Sequence, residues 1–182
     1  MRTGVVVALF LLGACASTQG DREPAFFGRR SALSRLRSKV ISEARSHEGQ
    51  PYVWGANGPD AFDCSGFIHY VMREVVGAEI FDMPYGGIGG RSESVYYRDY
   101  LDGEDASISC ARAEAADIVF LPAQASGPAH IGFVTKRGSL RFITAQGKDY
   151  GVDDHPFSAR SYWGKRHPVC FRNVWLERAA RR

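Results

Sequence analysis

The sequence predicts an α+β domain, helices first and an antiparallel sheet after them. Apolar residues recur at helical spacing in two stretches before residue 77, and strand-like apolar runs fill the second half of the chain. Clusters of Gly, Pro and polar residues separate these runs. At 182 residues and a formal charge of +3, the chain suits one domain of ordinary size with one sizeable core.

Taken in order, Arg2 precedes an apolar run over 4–12 that is too short to span a bilayer but suits the core of a secretory signal. The run ends in Leu12-Gly13-Ala14-Cys15, which resembles a bacterial lipobox, a cleavage site followed by a cysteine whose thiol is acylated. On this reading residues 1–14 are the signal, Cys15 becomes the lipidated N-terminus and the protein is anchored to a membrane. With several acyl chains each buried methylene contributes about 0.8 kcal/mol, so the anchor holds firmly. Ala16 after the cysteine looks like sorting to the outer membrane in a two-membrane bacterium. Ordinary signal cleavage after Ala14-Cys15-Ala16 is the competing reading, and it leaves a soluble exported protein. Residues 15–30 are polar and aperiodic, as a tether should be.

From Ser31 onward a domain over 31–182 is expected. Leu33, Leu36, Val40, Ile41 and Ala44 predict a first helix, with Gly49 as terminator. Phe67, Ile68, Val71, Met72, Val75 and Val76 predict a second, capped by Asp63 and stopped at Gly77. Residues 78–114, with Gly86-Gly87 and Gly89-Gly90, read as a long loop holding at most a short helix, placed to border a cleft. Strands are expected over 117–121, 130–135, 140–146 and 168–175, the middle two joined by a turn containing Gly138.

The chemistry concentrates at Asp63-Cys64-Ser65-Gly66-Phe67. This places a thiol in the first turn of the second helix, where unpaired N–H groups and the helix dipole favour a thiolate. Upstream stands Pro51-Tyr52-Val53-Trp54-Gly55, and downstream Asp117-Ile118-Val119-Phe120 and His130-Ile131-Gly132-Phe133-Val134. Together these segments resemble the NlpC-type family of papain-like bacterial cell-wall cysteine peptidases, from the first helix through Tyr162-Trp163 and the last strand.

The resemblance implies a papain-like fold in which Cys64 is the nucleophile, His130 its base and Tyr52 a donor to the oxyanion. It further implies that Asp63 and Ser65 meet the substrate peptide, beside the capping role of Asp63. The substrate implied is the stem peptide of peptidoglycan, cut between D-glutamate and a diamino acid through a thioester.

Many relatives carry a second histidine where this chain has Thr144. Gln146 and Thr144 share one face of their strand, and either could orient His130. Gln146 is the favoured third member, because an amide oxygen can accept the imidazole N–H and hold its tautomer. Ala56 and Ala116 stand where the family has glycines.

Cys110 and Cys170 are left over, and either pair or remain buried thiols. A bridge closing so long a loop would stabilise by roughly 2–4 kcal/mol. His47, His69, His155 and His167 lack paired ligand spacing, so neither metal nor other cofactor is expected. The small charge, with no phosphate-cradling loop, excludes nucleic acid as partner. Two competing readings keep the fold: a wall-binding lipoprotein without activity, and an amidase or acyltransferase using the same dyad.

Overall fold

The computed structural model describes residues 23–86, 93–121, 130–137, 141–157 and 167–182. The signal, Cys15, the turn at Gly138 and Tyr162-Trp163 lie outside the described residues. The chain runs α1 (Glu23–Ser46), α2 (Cys64–Val76), α3 (Glu93–Gly103), β1 (Ser107–Ile108), a 3-10 turn (Cys110–Arg112), β2 (Ile118–Leu121), β3 (His130–Lys136), β4 (Arg141–Ala145), β5 (Val152–Pro156), β6 (Val169–Phe171) and α4 (Val174–Ala179). The strands form one antiparallel sheet in the order β1-β6-β2-β3-β4-β5. The α+β expectation holds.

Strand β2 reads Ile-Val-Phe-Leu without a polar residue because it is covered on both faces. Ile118 and Phe120 join Ile131, Phe133 and Ile143 beneath the helices, against Phe67, Ile68, Val71 and Met72 of α2. Val119 and Leu121 turn the other way, into a smaller cluster with Val134, Phe142 and Cys170. Burying each large apolar side chain contributes about 1.5–3 kcal/mol, so this central stack fixes the angle of α2 on the sheet.

Helix α1 docks through Val40, Ile41 and Ala44 and through Arg37, whose guanidinium meets the buried Asp117 at 2.7 Å. Asp117 also accepts from the backbone N–H groups of Glu114 and Asn173, so one carboxylate ties α1, β2 and the turn into α4 together. Burial raises its pKa and Arg37 opposes that rise.

Several elements differ from the sequence expectation. Helix α1 starts at Glu23, so residues 23–30 are helical where a flexible linker was expected. Extending a helix nucleated by its packed part adds one hydrogen bond per residue without a core contact. The strand expected over 168–175 stops at Phe171, because Asn173 caps α4 by accepting from the Leu176 N–H. Its amide donates to the Ala116 carbonyl, so Trp175 is buried from a helix, stacked on Tyr100. Strand β5 was not expected, since Val-Asp-Asp-His-Pro has no apolar run; as an edge strand it needs none. Helix α3 occupies the second half of the long loop, anchored by the buried Tyr97 and Leu101.

Cys110 and Cys170 form a disulfide, which staples the 3-10 turn to β6. Ala116, where the resemblance calls for glycine, is fully buried with φ +67, a left-handed backbone in which its methyl group carries strain.

Candidate active site

The site has two halves. The first is built from residues close in sequence. The segment 51–56 folds back on 61–63: Phe62 N–H donates to the Pro51 carbonyl, Val53 N–H to Phe62 and Asp63 N–H to Ala56. A tight turn from Val53 to Ala56 needs the positive φ of Gly55 (+76), a conformation that favours glycine. Ala56 sits outside that region, so its methyl in place of a glycine costs little. Gly66 has no such freedom, because a Cβ there would collide with the Ala56 carbonyl.

Asp63 welds the turn to the helix. Its Oδ1 accepts from the Gly66 N–H at 2.7 Å and from the Ser65 hydroxyl at 3.0 Å; its Oδ2 accepts from the Gly55 N–H at 2.9 Å and the Tyr85 hydroxyl at 3.1 Å. A carboxylate has about four acceptor positions; Gly66, Ser65 and Gly55 fill three, and the single Tyr85 proton lies between Asp63 and the Ala56 carbonyl at 3.3 Å. The geometry therefore supports the capping role of Asp63.

Cys64 opens α2 and is partly exposed. The backbone N–H groups of Ser65 and of Ile131, the residue after His130, act on its sulfur and oppose the rise in its pKa. The fold thus brings the head of α2 against the start of β3. Tyr52 pairs with Phe62 and packs against the core. Burial, followed by the nearby Cys64 and Asp63, raises its phenol to about 12, which keeps it a donor at neutral pH.

The second half is the β3–β4 hairpin. Phe133 faces Ile143, so one step on Gly132 lies opposite Thr144. A Cβ on Gly132 would stand 2.9 Å from the Ile143 carbonyl and 3.3 Å from Thr144 Cβ. Its absence lets the His130 ring reach Thr144, whose Oγ1 lies 3.1 Å from Nε2. Thr144 is fully buried and also donates to the Ile131 carbonyl at 2.6 Å.

The favoured partner, Gln146, is corrected. Strand β4 ends at Ala145, and the Gln146 Oε1 is buried with no hydrogen-bond partner among the described residues. Side-chain alternation put both residues on one face, and only the register and the gap at Gly132 decided between them.

Two further residues reach this site without any sequence signal. Ser94, buried at the start of α3, puts its hydroxyl 3.7 Å from the Cys64 sulfur. Tyr85 tethers Asp63 from the far side of α2, with its ring against His69. Both come from the 78–114 segment, and no spacing to Cys64 marks them.

The thiol itself departs from expectation. Burial and the Asp63 charge push its pKa up to about 11, against the lowering effect of Ser94, Ile131 and Ser65. These surroundings favour the neutral thiol. Among the described residues no group of three His, Cys, Asp or Glu is arranged to hold a metal ion, and no helix is long and apolar enough to cross a membrane.

Comparison with known proteins accounts for this constellation. The profile of the NlpC/P60 family matches residues 49–172. The chain is 35% identical over 117 residues to the probable endopeptidase p60 of Listeria grayi, which is 64% of this chain and 19% of that one. It is 33% identical over 130 residues to the probable peptidoglycan endopeptidase LytE of Bacillus subtilis, 71% of this chain and 32% of the relative. The match therefore spans between a fifth and a third of these relatives' length.

Among solved structures, the NlpC/p60 domain of the peptidoglycan hydrolase SagA aligns at TM-score 0.50 and 26% identity, covering 74% of this chain and 97% of that one. The peptidoglycan hydrolase RipB of Mycobacterium tuberculosis shares the fold at TM-score 0.52 and 22% identity, over 84% and 72%. With the profile covering most of the chain and its motifs meeting at one sulfur, the protein belongs to the NlpC/P60 family.

Proposed function

We propose that this protein is an exported cysteine peptidase that cuts the stem peptide of peptidoglycan, with Cys64 as nucleophile and His130 as base. The observation that carries the reading is the packing of α2, which Cys64 opens, against β3, which His130 opens, with the imidazole 3.1 Å from the Thr144 hydroxyl. The endopeptidase and hydrolase names of the relatives support the substrate class.

The tautomer follows from hydroxyl arithmetic. Thr144 has one proton, and the carbonyl of Ile131 at 2.6 Å can only accept it. At 3.1 Å the same oxygen then accepts from Nε2–H of His130, which leaves Nδ1 as the basic nitrogen. Thr144 thus takes the orienting role that many relatives give to a second histidine.

In the reaction the Cys64 proton passes to Nδ1 as the sulfur bonds to the scissile carbonyl carbon. Tyr52 donates to the oxygen that gains charge, an effect worth roughly two to three powers of ten in rate. The C–N bond then breaks, the amine leaves with the proton from Nδ1, and water hydrolyses the thioester to regenerate the thiol. The bond proposed is that between D-glutamate and the diamino acid.

Acylation of Cys15 would hold the enzyme at the membrane, on the periplasmic face of an outer membrane. Labelling with a palmitate analogue, lost in Cys15→Ala, tests the anchor. Mass spectrometry of defined muropeptides after incubation with the mature protein and with Cys64→Ala tests the activity. The expected result is cleavage at one bond by the first and none by the second. An intact substrate in both would favour the non-catalytic wall-binding reading.

A further inference from the structure

We propose that Ser94 is a further catalytic residue, whose hydroxyl donates to the Cys64 sulfur and holds the negative charge that appears there when His130 takes the proton. Ser94 is 2% exposed, and among the described residues its one side-chain partner is the sulfur at 3.7 Å. A buried hydroxyl needs an acceptor, and a neutral thiol is a weak one. A thiolate is a strong one, because a hydrogen bond to an ion is about twice as strong as one between neutral groups.

The contact is therefore stronger in the charged state than in the resting thiol, and weaker again once the sulfur carries an acyl group. An interaction that strengthens only as charge develops lowers the barrier rather than stabilising the ground state. The sulfur also needs such help. Its surroundings otherwise favour the neutral thiol, and the other groups that oppose the rise in its pKa are the backbone N–H groups of Ser65 and Ile131.

The hydroxyl is held in place by packing remote from the sulfur. Helix α3 is fixed by Leu101, by Tyr97, whose hydroxyl donates to the Pro84 carbonyl at 3.2 Å, and by Tyr100 stacked on Trp175. Ser94 thus reaches the site already oriented, so little reorganisation is needed when charge appears. Of the groups that oppose the rise in the thiol pKa it alone is a side chain, which makes it the one that mutation can remove.

The kinetic part of this proposal rests on the peptidase reading, but the state of the thiol can be measured without substrate. Ser94→Ala, checked for folding by thermal melting, is alkylated with iodoacetamide across pH 7 to 11, with Cys64 followed by peptide mass mapping. Losing a hydrogen bond to a charged group predicts alkylation roughly tenfold slower at pH 9. On a muropeptide kcat should fall by a similar factor with KM unchanged, and Ser94→Thr, which keeps the hydroxyl, should recover both. If the Ala variant does not fold, Ser94→Cys, a weaker donor of similar shape, serves in its place. Wild-type alkylation and an unchanged pH profile in the variant would overturn the role, even if hydrolysis falls. Absence of muropeptide cleavage by the wild type, with the alkylation effect intact, would instead count against the peptidase reading and leave the Ser94 contact standing.

Discussion

The two halves of the site are held by different kinds of structure. Residues 51–66 form a nearly self-contained unit, in which a turn, a capping carboxylate and a helix start bond to one another across a few residues. The β3–β4 hairpin places His130 by strand register, by the missing side chain of Gly132 and by one buried hydroxyl. The first half is over-determined, with four donors on Asp63 alone. In the second, the Thr144 hydroxyl meets the imidazole at 3.1 Å. Damage to the frame of the first, Asp63 and the turn it holds, should therefore show mainly as lost stability, and damage to the second mainly as lost rate.

The sharpest break of this contrast is Thr144→Val, which removes the acceptor and keeps the shape. Misplacing the base predicts a fall in kcat of about 10²-fold on a muropeptide. Gln146→Ala should change it by no more than about twofold. Equal losses in the two variants would restore Gln146 as the orienter. Next comes Asp63→Ala, which strands buried donors on both sides of the helix start and should cost about 2 kcal/mol in chemical denaturation. A variant as stable as the parent would mean that the turn and the helix hold without the carboxylate.

The thiol offers a third test. A folded pKa raised to about 11 leaves less thiolate at neutral pH than an ordinary cysteine has. The alkylation rate of Cys64 should thus climb about tenfold per pH unit between pH 7 and 10. A rate already level from pH 7 would mean that the sulfur rests as the ion, paired with a protonated imidazole. Gly132→Ala is expected to have the smallest effect on stability, about 1 kcal/mol from overpacking against Ile143 and Thr144. Its kcat should drop by more than that loss explains, since the shift moves Thr144 away from the ring. A loss confined to stability would separate Gly132 from the base.

The contrast also tells which parts were legible in the sequence. Asp63, Gly77 and the apolar spacing of α2 are local signals, and the helix begins and ends where they say. The two linked motifs around Tyr52 and Cys64 pointed to a nucleophile through their resemblance to the NlpC-type family, and the structure bonds them into one unit. Strand β5 and helix α4 were missed or misread, since edge position and an Asn173 cap override the apolar pattern.

By itself the sequence determined the class of fold, the head of the second helix and the strand that carries His130. Those features rest on periodicity, capping and turns, which act over a few residues. Only the tertiary structure decided that Thr144 rather than Gln146 meets the imidazole, that Tyr85 reaches Asp63, and that Ser94 from a distant helix touches the sulfur. Such contacts form between elements far apart in the chain, and their geometry is set by packing and register rather than by any local pattern.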